Sequence, residues 1–542
     1  MRNRFNIVIK GGEIFDGIGN PSFKADIGIK EGKITKIGDI DEKGNAIIDA
    51  KGLVVSPGFI DMHTHADHTI LAFPNAESYI MQGVTTSLVG NCGQSMAPIN
   101  SNNLELTRSY LSPFLRTDYD YKWDWRTSKE YFEKIRKNNT AINLAPLVGS
   151  GALWIAVKGF EMTRASKEEM DTMKTILKQE MEEGAFGLSS GLIYPPDSYS
   201  TTEELIELTA VLKKYNALYA IHLRSEGDEL LESVEEAIKI GEENGISVEI
   251  SHHKAIGKAN WGKVKDSLKM LENARQRGVN INCDVYPYTA GMTTVSSLLP
   301  PSTLEGGVEK MLARLNNQEE RLKIEKDITE GKMKGEKWIK GIGWENIMVA
   351  ECPLDKDAEG KSLENLFKER NQFQKPFKAL FDWIIKIKGQ ATMIFFCMDE
   401  EDVKTIISSP ISIIISDSWP IAPSGGGKPH PRGYGSFSRI LGKYVREEKT
   451  LSLEEAIKKM TSLPANKIGL KDRGILKEGY WADIAIFNKD EIKDKATFEN
   501  PHQYPDGVYY VIVNGKIAVG HGKITGLRSG KILKRQAIKE KQ

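Results

Sequence analysis

The run Pro57–Thr69, PGFIDMHTHADHT, ends an apolar stretch in His63-Thr64-His65. In an extended strand, residues i and i+2 project to the same side, so two imidazoles at this spacing present two nitrogen donors together. Such a pair at a strand end suits a divalent metal. Alone, it fits equally a polar strand end whose imidazoles meet only water. Further donors close other short apolar runs: Cys92 in VGNCG, His222 in IHLRSEGD, His252 and His253 in SHHK, and Asp417 in ISDS. The chain has nine histidines, and His63, His65, His222, His252 and His253 all fall in this set. Singly, Cys92 reads as a small buried hydrophobe and Asp417 as an Asx-turn residue. Jointly, at the ends of separate strands, they read as a metal site.

The elements that position these residues alternate. Strand-like runs lie at 58–65, 84–90, 142–150, 185–193, 218–225, 247–254, 280–288 and 411–418. Between them stand helix signals. Ser166 and Glu169 make a capping box before the apolar face Met170, Met173, Leu177 and Met181, closed by Gly184. Ser200 and Glu203 repeat the box before Leu205, Leu208 and Leu212, and Leu230, Val234 and Ile238 precede Gly245. Eight nearly apolar strands alternating with helices over about 360 residues predict an α/β fold, a (β/α)8 barrel. An open doubly wound sheet is the runner-up, disfavoured because no Gly-x-Gly-x-x-Gly turn follows the first strand.

The flanks differ from this middle. Residues 1–56 and 466–542 carry short β runs and turns, with hairpins expected at Lys10-Gly11-Gly12 and Lys30-Glu31-Gly32. They are expected to pair as a small β-sandwich domain around a catalytic barrel at 57–465. A Lys- and Glu-rich stretch near 298–410 reads as an insertion after strand seven, on the barrel face where active sites sit. It holds an amphipathic segment at 306–330 and a β-like patch at 345–352.

Composition narrows the partners. The 542 residues hold 74 Lys plus Arg and 74 Asp plus Glu, giving no electrostatic case for nucleic acid or an anionic membrane. Four unpatterned cysteines suit a reducing compartment, and no apolar run of about 18 residues or signal segment occurs. The expectation is a cytoplasmic protein with neither nucleic-acid nor membrane partners.

The combination of HTH, single histidines on strands five and six, and an aspartate on strand eight resembles the amidohydrolase superfamily. PGFIDMHTHADH, GVTTSLVGNCGQSMAPI, EGAFGLSSGLIYPP, EISHHKAIGKANWG, DVYPYTAG and HPRGYGSFSRILGKYVRE are most similar to the N-acyl-D-amino-acid deacylases, or D-aminoacylases. The likeness runs from the first strand into the C-terminal β unit. It implies a TIM-like metal-dependent hydrolase barrel that cleaves the amide of a small N-acyl-D-amino acid, releasing a carboxylate and a D-amino acid. It also implies a tight Zn²⁺ on Cys92, His222 and His252, with Cys92 bridging, and a weaker second position on His63, His65 and Asp417. His252 is the ligand of its pair because the family pattern is Ser-His-x-Lys; strand parity also allows only one of the two inside. His253 is then expected outside, and His68 behind the ligands or in solvent.

Zinc lowers the pKa of a bound water to roughly 7, and Asp417 can move that proton to the leaving nitrogen. Tyr194 is a candidate oxyanion donor. Lys254, two residues past His252, and Tyr286, at the seventh strand end, match family positions for the α-carboxylate; Arg432 is a further candidate. DVYPYTAG is followed by Met292 where relatives tend to have serine, leaving Thr293 to supply a hydroxyl. The stretch also lacks the arginine of D-glutamate-selective relatives, implying a neutral or apolar substrate side chain. Competing readings are a hydantoinase-like cyclic amidohydrolase, expected to carry a lysine in place of Cys92, and a dipeptidase acting before a C-terminal D-residue. A non-catalytic metal-binding protein is the reading of a different class.

Overall fold

The computed structural model describes residues 5–331 and 336–535. Residues 1–4, 332–335 and 536–542 of the expected end and insertion segments lie outside the described residues. Eight parallel strands follow one another: Phe59–Asp61, Val84–Val89, Asn143–Pro146 continued by Val148–Gly149, Gly187–Gly191, Leu218–His222, Ser247–Ile250, Ile281–Val285 and Ser412–Ile414. Each pairs in parallel with the next, the third using its first half on one side and its second half on the other. The ring closes just beyond the strands. Thr64 bridges Ser418 in parallel, the His65 amide donates to the Ser418 carbonyl at 2.8 Å, and the Asp417 amide donates to the His63 carbonyl at 3.0 Å. These closing bonds exclude the open sheet. Every strand residue is buried, as a parallel sheet wrapped by helices requires.

Helix Lys167–Glu183 has the Ser166–Glu169 capping box, the buried methionine and leucine face, and Gly184 at φ 112°. The second box is displaced by one residue: Thr201 and Glu204, not Ser200 and Glu203, open helix Thr202–Thr209. Both spacings occur in the sequence. Ser200 instead ends the turn Asp197–Tyr199, and its carbonyl accepts from Arg224 Nη2 at 3.0 Å.

The two chain ends build one nine-stranded sheet, joined by antiparallel pairing of Val54–Pro57 with Ile484–Phe487. Its own core includes Ile9, Ile27, Ile34, Val55, Ile484 and Ile512. Lys10-Gly11-Gly12 does not turn the chain. It is an irregularity within strand Phe5–Ile14, where Gly11 at φ 66° lets the register shift. Glu31-Gly32 is a hairpin turn, with φ of 53° and 81° matching the twist of its strands.

After the seventh barrel strand, Ala290–Thr294, Thr392–Phe396 and Ile347–Glu351 form a three-stranded antiparallel sheet. It begins before residue 298 because Ala290–Thr294 finds its partner about a hundred residues later, a pairing no local pattern announces. Helix Glu400–Ser408 then leads back to the eighth strand, so the insertion's sheet ends before residue 410. The amphipathic segment is two helices, Val308–Asn316 and Gln318–Glu330, separated by Asn317, which caps the second. Among the described residues, no helix is long and apolar enough to cross a membrane.

Candidate active site

The donors stand at or just beyond the strand ends. The first strand stops at Asp61, the second at Val89, the sixth at Ile250 and the eighth at Ile414. Cys92, His252 and Asp417 follow in left-handed backbone, with φ of 52°, 36° and 52°. Such conformations cost a non-glycine residue on the order of 1–3 kcal/mol and persist only when neighbours impose them. For His252 the restraint is its amide, which donates to Asp284 Oδ1; for Asp417 it is the barrel-closing bond to His63. Strand parity therefore does not separate the two adjacent histidines. The turn after Ile250 does: His252 faces the cleft while His253 Nε2 meets Ser267 Oγ at 2.7 Å.

Cys92 Sγ lies 3.3 Å from His63 Nε2, 3.6 Å from His252 Nε2 and 3.7 Å from His222 Nδ1. Asp417 Oδ1 is 3.5 Å from Nε2 of both His63 and His65. Three overlapping sets bring their ligand atoms within 4.8 Å of one another: His63, His65 and Cys92; Cys92, His222 and His252; His63, His252 and Asp417. None of the six residues is more than 7% exposed. Burial keeps the imidazoles neutral, lowering His63 to about 4 and His222 and His252 well below their ordinary value. Burial also pushes the Cys92 thiol well up, so it becomes a thiolate only beside a cation. Burial would raise Asp417 too, but the Arg432 guanidinium 2.8 Å away, together with His252, His65 and His63, outweighs it and holds the carboxyl well below its usual range. Neutral nitrogens, one sulfur and one ionised carboxylate converging on one another fit a borderline-soft divalent ion such as zinc.

The sequence profile of the amidohydrolase family matches residues 46–330 and 373–519. This chain belongs to the amidohydrolase family. Within it, the chain is 33% identical to a D-aminoacylase of Alcaligenes xylosoxydans xylosoxydans over 98% of both chains. Among solved structures, the N-acyl-D-glutamate deacylase of Bordetella bronchiseptica superposes with a TM-score of 0.81 at 30% identity, covering 98% of this chain and 99% of that one. That enzyme is complexed with zinc and a phosphonate inhibitor that mimics the tetrahedral intermediate. A D-aminoacylase structure, described by its binuclear metal centre with one-metal activation and second-metal attenuation, also scores 0.81, at 32% identity over 98% of this chain and 100% of that one. The resemblance to the N-acyl-D-amino-acid deacylases therefore extends over nearly the whole chain.

In this amidohydrolase the other expected site residues line the same cleft. The Tyr194 ring stands edge-on to His222, with centroids 5.1 Å apart. Tyr286 lies under the Arg432 guanidinium at 4.7 Å, and its hydroxyl meets Met398 Sδ at 3.7 Å. Thr293 reaches the cleft from the insertion's sheet. His68 is buried, not solvated: its Nε2 donates to the Gln94 carbonyl at 2.9 Å and its ring stacks on His65.

Two carboxylates were not anticipated. Glu226 Oε1 lies 2.5 Å from Lys254 Nζ and 2.9 Å from His252 Nδ1, while its Oε2 is 3.6 Å from His222 Nε2. It stands behind both imidazoles and leaves His252 Nε2 and His222 Nδ1 turned toward Cys92. Asp284 Oδ2 is 3.6 Å from His63 Nδ1. The available signal for Glu226 was an acidic residue four places after His222, but the stretch between them is a loop, where that spacing has no fixed geometry.

Proposed function

We propose that this chain is a zinc-dependent N-acyl-D-amino-acid deacylase. The observation that carries the reading is the buried convergence of Cys92, His222 and His252 beside an ionised Asp417, in a chain whose full-length relatives include deacylases. Cys92, His222 and His252 would hold the tight ion, and His63, His65 and Asp417 the weaker one, with Cys92 common to both. Zinc in these sets supplies the Lewis acidity that polarises the amide carbonyl and acidifies a water.

The chain's own groups do the rest. Asp417 Oδ2 is tied to Arg432, which leaves Oδ1 on the imidazole side to take a proton from the attacking water. The same oxygen returns it to the amine nitrogen as the C–N bond breaks. The Tyr194 phenol is kept protonated by burial and can donate to the developing oxyanion. Lys254 and Arg432 are each already paired, with Glu226 and Asp417. With Cys92 as thiolate, a dication therefore leaves the pocket with a net positive charge. A substrate carboxylate beside Lys254 and Tyr286 would balance it. The remaining walls include Ile256, Met292, Phe395 and Trp419, which favours a neutral or apolar substrate side chain. The four cysteines are free and buried, in keeping with a cytoplasmic location.

The test is amine release by the zinc-loaded protein from N-acetyl-D-amino acids, their L-enantiomers and hydantoins. Turnover confined to the D-series is expected. Hydantoin hydrolysis without release from N-acetyl-D-amino acids would overturn the reading.

A further inference from the structure

We infer that the acyl group of the substrate extends into a second, partly apolar cleft built largely by the insertion, and that the preferred substrates carry acyl chains longer than acetyl. The inference rests on the deacylase reading and names the acyl class for it.

The second cleft adjoins the first, sharing Gln94, Phe114, Ile193, Tyr194 and Trp338 with it. The two clefts differ in chemistry. Lys254, Tyr286, Arg432 and Asp417 line only the first. In an N-acyl amino acid, the carboxylate and side chain share one carbon, whereas the acyl substituent lies on the far side of the scissile amide. With the carboxylate held beside Lys254 and Tyr286, and the amide at the Cys92 cluster, the acyl substituent leaves past Tyr194. That is where the second cleft opens.

Beyond Tyr194 the lining is mixed, with the polar Tyr110 and Glu336 beside a group of apolar side chains. Leu299, Leu304 and Met311 are buried, and Pro113, Pro301 and Val308 complete the apolar lining. The nearby hydroxyls are already satisfied. Ser109 Oγ donates to the Leu106 carbonyl at 3.1 Å, Ser297 Oγ donates to the Thr294 carbonyl at 2.8 Å, and Ser296 and Thr294 share a bond of 2.8 Å. Lys388 stands exposed at the edge. A chain of methylenes entering here gains contact with these apolar side chains and does not break the bonds of these hydroxyls. An acetyl group would leave this surface uncovered.

The experiment compares kcat/KM for N-acetyl-, N-butanoyl- and N-octanoyl-D-leucine. Each buried methylene is worth up to about fourfold, so octanoyl is expected to exceed acetyl by at least about tenfold. Ser297→Trp and Val308→Trp narrow the second cleft without touching the cluster. Each should bring the octanoyl advantage to within about twofold while leaving acetyl hydrolysis unchanged. Octanoate should also inhibit wild-type N-acetyl-D-leucine hydrolysis at concentrations at least about tenfold below acetate, a readout that survives misfolding of either variant. Equal wild-type rates for acetyl and octanoyl, or octanoate no stronger than acetate, would overturn the acyl assignment while leaving the deacylase reading intact. No turnover of any N-acyl-D-amino acid would overturn both.

Discussion

Replacing Glu226 by glutamine keeps the volume of this side chain and removes its charge, which separates two roles. Glu226 is 2% exposed, and its carboxylate faces Lys254, His252 and His222. Lys254 is 5% exposed, and Glu226 is its one ion-pair partner among the described residues. Leaving a buried ammonium unpaired costs about 3–5 kcal/mol, a large share of the roughly 5–15 kcal/mol that holds a folded chain together. Removing a carboxylate behind a ligating imidazole weakens metal binding by about 10- to 100-fold, or about 1.4–2.7 kcal/mol. Glu226→Gln should therefore unfold at lower urea in the metal-free form and release zinc to a weaker chelator. The double variant Glu226→Gln/Lys254→Met removes the orphaned charge. It should recover most of the lost stability while its zinc affinity stays low. Wild-type zinc affinity in Glu226→Gln, or recovery of that affinity in the double variant, would refute the assignment of this carboxylate to the imidazoles.

Asp417→Asn should keep its zinc on Cys92, His222 and His252 and lose about 10²- to 10⁴-fold in kcat, the usual range for a proton-transfer group; unchanged turnover with zinc retained would refute its role. Cys92→Ala removes the donor proposed for both positions, so metal analysis after gel filtration should find little zinc, and normal content with normal activity would count against a bridging thiol. Asp355, in the insertion, accepts from Arg370 Nη1 and Nη2 at 2.8 and 3.0 Å and from Trp383 Nε1 at 2.9 Å, with Lys386 Nζ 3.2 Å away. Burial opposes ionisation there, but these partners lower the carboxyl from 3.8 to about 2. Because the folded value lies below the unfolded one, its stabilisation is complete above about pH 4 and is lost as pH falls toward 2, amounting to about 1–2 kcal/mol after screening of the part-exposed cations. Urea midpoints measured from pH 5 to 2.5 should fall more steeply for wild type than for Asp355→Asn; parallel curves would refute this.

Much of the site was legible because its chemistry resides in residue types at recurring strand ends. His63 and His65 keep their two-residue spacing although the regular strand stops at Asp61, since the closing bridge at Thr64 continues the extended pairing. The helix at Lys167–Glu183 was equally legible, because its cap, apolar face and terminal glycine are all local. The box at Thr201–Glu204 was misplaced by one residue because two registers satisfy the same local rule and a contact from Arg224 distinguishes them. The start of the insertion was misplaced for the opposite reason, its first strand being defined by a distant partner.

By itself, the sequence determined the donor types, the alternating framework that spaces them and the family to which they belong. Those properties are carried by composition and by periods of two and 3.6 residues along the chain. Only the tertiary structure decided how the donors face one another. The left-handed turns at Cys92, His252 and Asp417, the pairing of Arg432 with Asp417 and the place of Glu226 behind two imidazoles all depend on contacts between separate strand ends. Such contacts exist only once the barrel closes, and with them the pair His63-Thr64-His65 becomes one side of a buried cluster centred on Cys92.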